Sequence, residues 1–208
     1  SVMHANNETG VIQPMDEILD GLKEYPAYFH TDAAQSFGKI IVPLQNPRID
    51  LISISGHKIY GPKGIGALIT RRRGYDRIPL TPLMFGGGQE RGLRPGTLPV
   101  PLIVALGLAA ELAGKEWKKR AEKCLAFRKE LLAAFAPFNP VFNGDPDRTL
   151  PHVVNLSIPG IDSEALMLAL KHDLAISNGS ACTSAIYKPS HVLMSMGADL
   201  DIISRAIR

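Results

Sequence analysis

The sequence predicts an α/β fold: a mostly parallel large-domain sheet flanked by helices, followed by a smaller α+β C-terminal domain. Three observations carry this. In the first half, short apolar runs alternate with helix-patterned segments, the order that builds parallel sheets. A long helical stretch then runs from Pro99 to about Ala136. After it, short strands and short amphipathic helices alternate again.

The elements follow in order. The apolar start of "SVMHANNETG" reads as a strand. "DEILDGLKEY" places apolar residues at helical spacing, with Asp16 as the expected N-cap. "AYFHTD" is a strand ending at Asp32, "IDLISIS" a second ending at Ser55, and "IGALITRR" a third. The long helix has an expected break near Gly114. "VVNLSIPG" reads as a strand, "DSEALMLALKHD" as an amphipathic helix and "LAISNG" as a strand. "PSHVLMSMG" is a helix begun by Pro189 and closed by Gly197. The expected division is 1–98 for the larger domain, 99–136 for a connecting helix and 137–208 for the smaller domain. From its uncapped start and end, the chain is expected to be part of a longer polypeptide.

Composition narrows the function classes. A chain of 208 residues with 45% hydrophobic and 21% charged content has the make-up of an ordinary globular protein. A net charge of +3 is too mild for a nucleic-acid-binding face, and "RRR" at Arg71–Arg73 reads as a solvated strand end. "KEWKKRAEK" mixes both signs, as an exposed helix face does. No run reaches the length of a membrane span, and no signal peptide is evident. Two cysteines, Cys124 and Cys182, make no disulfide framework, which fits a reducing cytoplasm. His30, His152, His172 and His191 show no metal-ligand spacing, so no metal is assigned.

The chemistry centres on "SISGHKIYGPKG". Taken alone, Lys58 reads as a surface lysine. Its neighbours change that reading. Asp32 and Gln35 lie at another strand end, 26 and 23 residues earlier. Ligands of α/β domains gather at such carboxyl ends. A carboxylate there could hold the protonated pyridine nitrogen of pyridoxal phosphate, and an amine could hold its aldehyde as a Schiff base. The same amine, once displaced by substrate, can act as a base. "GPKGIG" precedes a strand instead of opening a helix, which argues against a dinucleotide fingerprint. Its glycines are expected to let the backbone turn tightly.

The two thiols differ. Cys124 lies in the long helix with nothing beside it to activate it, the setting of an inert cysteine. Cys182 lies in "SNGSACTSA", a run of small and polar residues that has little to pack and is expected to be exposed and mobile. A thiol so placed suits a shuttle, and its thiolate would be the nucleophile.

"HANNETG", "HTDAAQS", "DLISISGHKIYGPKGIGAL", "GGGQERGLRPGT" and "SNGSACTSA" stand in the order found in cysteine desulfurases. The chain resembles that family, within the class V aminotransferase superfamily, from Asn7 to Arg208. The resemblance implies the fold-type I pyridoxal phosphate transferase fold, with the family's N-terminal part missing. That part supplies a phosphate-binding loop and a histidine stacked on the cofactor ring.

The resemblance also implies roles. Lys58, Cys182 and His57 form the catalytic set. Asp32 pairs with the pyridine nitrogen and Gln35 with the ring's phenolic oxygen. Ser55 and His57 contact the phosphate. Asn7 lies near the ring and the substrate carboxylate, which Arg208 grips. Thr97 reaches the phosphate of the neighbouring subunit, making the enzyme a homodimer. His4 and Asn6 are read as structural. Cys182 takes sulfur from L-cysteine as a persulfide, leaving L-alanine. The "SACTS" loop resembles the longer-loop branch, which passes sulfur directly to scaffold or carrier proteins. Asn178 and Pro95 replace serines common there. Iron–sulfur cluster assembly, tRNA thiolation and DNA phosphorothioation all begin with such a persulfide, and "GGGQERGLRPGTLPV" is similar to the phosphorothioation branch. Any nucleic acid would be handled by downstream partners, and the expected location is cytoplasmic. The alternatives are a selenocysteine lyase, another class V enzyme, or a non-catalytic sulfur-transfer scaffold. Cys182 in its loop argues against an aminotransferase.

Overall fold

The computed structural model describes residues 1–178 and 189–208. It divides into two compact units, one of Ser1–His4 with Pro14–Lys118, the other of Ala5–Gln13 with Lys119–Arg208.

The first unit is built on a four-stranded sheet. Its strands are β1 (Val2–Met3), β2 (His30–Asp32), β3 (Leu51–Ser55) and β4 (Gly66–Thr70), in that spatial order. β1 runs parallel to β2 and β2 to β3, with His30 opposite Leu51 and Asp32 opposite Ser53. β4 returns antiparallel along β3, with Ser55 opposite Gly66. The sheet is therefore mostly parallel with one antiparallel edge. Parallel neighbours put their carboxyl ends side by side, so Asp32 and Ser55 finish at the same end of the sheet.

Helix α1 (Met15–Gly21) covers this sheet. Met15 and Leu19, four residues apart on one face, join Phe29, Ala33, Leu44, Ile49 and Ile52 in the buried core. Pro14, not Asp16, occupies the N-cap, and no side chain caps the helix. Asp16 sits within the first turn with Glu17, where a negative charge still meets the positive end of the helix dipole. A second cluster joins Ile59 to Ala109 and Ala113 of helix α2 (Val100–Phe135). The expected break at Gly114 does not occur, and α2 runs unbroken for 36 residues. One glycine costs about 1 kcal/mol, too little to interrupt a helix propagated from both sides.

The second unit holds a three-stranded antiparallel sheet of β5 (Val141–Phe142), β6 (Leu156–Ser157) and β7 (Ala206–Ile207), with β6 central. Helix α3 (Ser163–Ala169) is capped by Asp162, whose Oδ1 accepts from Ala165 N at 2.9 Å. Helix α4 (His191–Ser195) starts after Pro189, as expected, but Ser190 is its cap. Gly197 follows it in the left-handed conformation at φ 81°. Leu193 of α4 packs with Ile203 of α5 (Leu200–Ser204) and Ala206. The strand expected over 174–179 is not a regular one among its described residues. Instead Ser177 alone exchanges two backbone hydrogen bonds with Arg208, at 3.1 and 2.7 Å.

Candidate active site

Lys58 lies in a single 3₁₀ turn, Gly56–Ile59, directly after β3. Two features force the turn. Gly61 N donates to Gly56 O and Gly56 N to Ile65 O, both at 2.9 Å, closing the chain on itself. Ile59, buried against Ala109 and Ala113, anchors its far end. Tyr60 follows at φ 66°, a sparsely populated conformation for a bulky residue, of the kind that gathers at functional turns. Gly66 is required by close approach, since a Cβ there would stand 2.5 Å from Ile54 O.

On this frame Lys58 is half-buried, and its amine has no hydrogen bond or ion pair among the described residues. Next to it in sequence, Ser55 Oγ and His57 Nδ1 lie 2.9 Å apart. Asp32, at the end of the neighbouring strand, takes Ala34 N on Oδ1 at 2.9 Å, and Oδ2 has no partner among the described residues. The turn after β2 is held from below. His4 N donates to Asp32 O at 2.9 Å, and His4 Nδ1 lies 2.8 Å from Ser36 Oγ. His4 is fully buried, the packed histidine that was expected, and burial lowers its pKa. Gln35, half-buried in the same turn, gives its backbone carbonyl to Lys39 Nζ at 3.0 Å. This donor set fits pyridoxal phosphate: an uncommitted amine, a carboxylate with a free oxygen at the adjoining strand end, and a hydroxyl–imidazole pair able to bind an anion.

Thr97 is exposed in the loop before α2. Cys124 is half-buried on α2. Cys182 lies outside the described residues.

The second unit holds a pair of its own. Asn6 folds residues 6–10 into a turn, its Oδ1 accepting from Glu8 N at 2.8 Å and Thr9 N at 2.9 Å. Gly10 closes the turn at φ 75°, where a Cβ would also meet Val153 at 2.7 Å. Arg208 Nη1 donates to Asn7 O at 2.7 Å across 201 residues of sequence. Arg208 is half-buried and pairs with no carboxylate among the described residues, so the rest of its fork is available to an anion. Sequence reasoning missed Glu8 and Ser190. Glu8 is 1% exposed, and its Oε2 accepts from Ser190 Oγ at 2.5 Å. Glu8 stood inside a quoted motif, but nothing local marked it as buried.

Known proteins resemble this chain closely. A family model described as Aminotransferase class-V matches residues 1–205. Cysteine desulfurase IscS of Rickettsia bellii is 51% identical over 210 residues, taking in 100% of this chain and 50% of that protein. The crystal structure of DndA from Streptomyces lividans is 46% identical with a TM-score of 0.85, covering 99% of this chain and 58% of that one. The structure of SspA in complex with cysteine is 36% identical with a TM-score of 0.75, covering 99% of this chain and 56% of that one. The chain spans about half the length of the curated relatives it matches. These likenesses show the fold-type I architecture of pyridoxal phosphate-dependent enzymes. With the family model matched from residue 1 to residue 205, and with sequence relatives named cysteine desulfurase at about 50% identity, the chain belongs to the class-V aminotransferase family.

Proposed function

We propose that this chain carries the chemistry of a cysteine desulfurase, which converts L-cysteine to L-alanine and leaves the sulfur as a persulfide on Cys182. The observation that carries the reading is the Lys58 amine. It is half-buried, without a partner among the described residues, and beside a strand end that presents Asp32. Residues 1–98 furnish the cofactor-binding part, 99–136 the connecting helix and 137–208 the smaller domain.

Each residue has a task. Lys58 holds the aldehyde of pyridoxal phosphate, Asp32 its ring nitrogen and Gln35 its phenolic oxygen. Ser55 and His57 hold the phosphate, and Thr97 reaches the phosphate of a second copy in a homodimer. When bound, pyridoxal phosphate supplies an electron sink for the bonds at the substrate's α-carbon. Asn7 and Arg208 orient the substrate carboxylate, and a two-pronged guanidinium contact fixes its direction as well as its charge. Lys58 moves the proton at the α-carbon. The Cys182 thiolate attacks the substrate sulfur. A carbon–sulfur bond breaks as a sulfur–sulfur bond forms, and protonation at carbon completes alanine.

The persulfide is passed to an acceptor protein for iron–sulfur cluster assembly, tRNA thiolation or DNA phosphorothioation. No helix among the described residues is long and apolar enough to cross a membrane. The proposed setting is the cytoplasm, with no direct contact to nucleic acid.

Mass spectrometry of the full-length protein after exposure to cysteine tests the reading. One added sulfur on Cys182 is expected, together with a yellow cofactor absorbance that disappears in Lys58→Ala. An unmodified Cys182 in protein with its cofactor bound overturns it.

A further inference from the structure

The turn that leaves β2 carries both groups assigned to the cofactor ring, Asp32 at its start and Gln35 further along. Its own bonds fold residues 32–37. Ala34 N donates to Asp32 Oδ1 at 2.9 Å, and Ser36 N and Phe37 N donate to Ala33 O at 3.1 and 2.8 Å. His4 is attached to this turn at two points. His4 N donates to Asp32 O at 2.9 Å, and His4 Nδ1 lies 2.8 Å from Ser36 Oγ. Gln35 stands between the two points of attachment. His4 and Ser36 are both 0% exposed, so bulk water does not compete for their bond.

Packing does not account for an imidazole at this place. His4 Nε2 is buried and has no hydrogen-bond partner among the described residues. A polar atom enclosed in that way is unfavourable, and a phenyl ring would fill much the same space without it. Charge does not account for it either. Burial lowers the pKa of His4, with Asp16 opposing that effect, so the ring is neutral near pH 7. What distinguishes it from a phenyl ring is Nδ1, the nitrogen that holds Ser36. A neutral imidazole presents Nδ1 as one donor or one acceptor, and a serine hydroxyl meets either.

We propose that His4 and Ser36 are positioning residues for the pyridoxal phosphate ring: their hydrogen bond fixes the turn from which Asp32 and Gln35 reach it. This rests on the tasks given to Asp32 and Gln35 in the proposed function. A carboxylate and an amide must meet the same flat ring at two of its atoms. Placement to within about 0.5 Å decides whether both contacts form together, and a buried bond behind the turn supplies that placement.

The test uses the full-length protein, stripped of cofactor and reloaded with pyridoxal phosphate. Three quantities are measured: the dissociation constant for pyridoxal phosphate, the absorbance band of the bound cofactor, and the melting temperature of the cofactor-free protein. Ser36→Ala removes a single oxygen. It is expected to weaken cofactor binding about fivefold, the size one hydrogen bond carries, and to move the absorbance band. His4→Phe is expected to do the same. The double variant should do no more than either alone, because both changes break one bond. Wild-type affinity and band in Ser36→Ala overturn the inference, and so does a double variant in which the two losses add. A lowered melting temperature with both cofactor readings unchanged also overturns it, since a role in the fold alone gives that result. Asp32→Asn separates this failure from a failure of the cofactor reading. Wild-type affinity and band in Asp32→Asn overturn the reading, and the inference with it. Altered affinity and band in Asp32→Asn, beside wild-type values in Ser36→Ala, overturn the inference alone.

Discussion

At the scale of single residues, surroundings decide what each group does. Lys58 and Lys115 are both lysines, but Lys115 is spent on Glu111 one helical turn away, while Lys58 has no such partner among the described residues. His4 shows the reverse case of a titratable group enclosed for structure. Burial lowers its pKa, with Asp16 opposing that effect weakly. A histidine whose folded pKa is depressed stabilises the fold above its unfolded value near 6.5, and that stability is lost as pH falls through and below it. Asp50 adds a second step at lower pH. Burial raises its pKa, but hydrogen bonds from Arg73 and Phe29 N and the charges of Arg73 and Arg48 outweigh that and leave it lowered. Its contribution is present above about pH 3.8 and lost below. Urea midpoints of the full-length protein should therefore fall from pH 7.5 to pH 5.5. His4→Gln should flatten that slope while leaving the more acidic step in place.

At the scale of elements, the β3–turn–β4 hairpin places the amine. Gly66 stands opposite Ser55, and a methyl group there would meet the Ile54 carbonyl. Gly66→Ala should cost about 1–3 kcal/mol, the usual toll of forcing an extra carbon into a packed site, and lower cofactor occupancy with it. Melting temperature and cofactor absorbance together check this. The sequence pattern located β2, β3 and β4 because each is a short run of strand-forming residues bounded by turns, although β4 is exposed along its length. It failed at 174–179, where apolar spacing promised a strand and the described backbone offers one paired residue, Ser177. It failed also at Gly114, where local propensity overstated the cost of a glycine inside a long helix.

At the scale of the whole molecule, the second unit joins residues 5–13 to the last ninety. A buried chain of polar groups makes that join. Asn155 donates to Glu8 O, Asn143 donates to both Asn155 Oδ1 and Ser157 Oγ, and Ser157 donates to Ile202 O. Asn155→Ala should destabilise the protein by about 1–3 kcal/mol, because it leaves buried partners unsatisfied. It should also raise KM for cysteine, since the turn that carries Asn7 and holds Arg208 loses a tether. The other large-scale feature is apolar surface. Leu83 is 96% and Phe85 82% exposed, in the stretch leading to Thr97. Exposed apolar clusters mark interaction surfaces. The full-length protein should sediment as a dimer, and the double substitution Leu83→Asp, Phe85→Asp should shift it toward monomer.

Taken by itself, the amino-acid sequence determined the family motifs and the strands that end at Asp32 and Ser55, and it singled out a candidate amine and a candidate thiol. Those are local matters: residue type, spacing and turn chemistry act over a few neighbours. Only the tertiary structure decided that Arg208 meets Asn7 and that Glu8 is buried against Ser190. Such contacts span 182 and 201 positions of sequence, and no local periodicity records which distant hydroxyl or guanidinium a folded chain will bring to a given carbonyl or carboxylate.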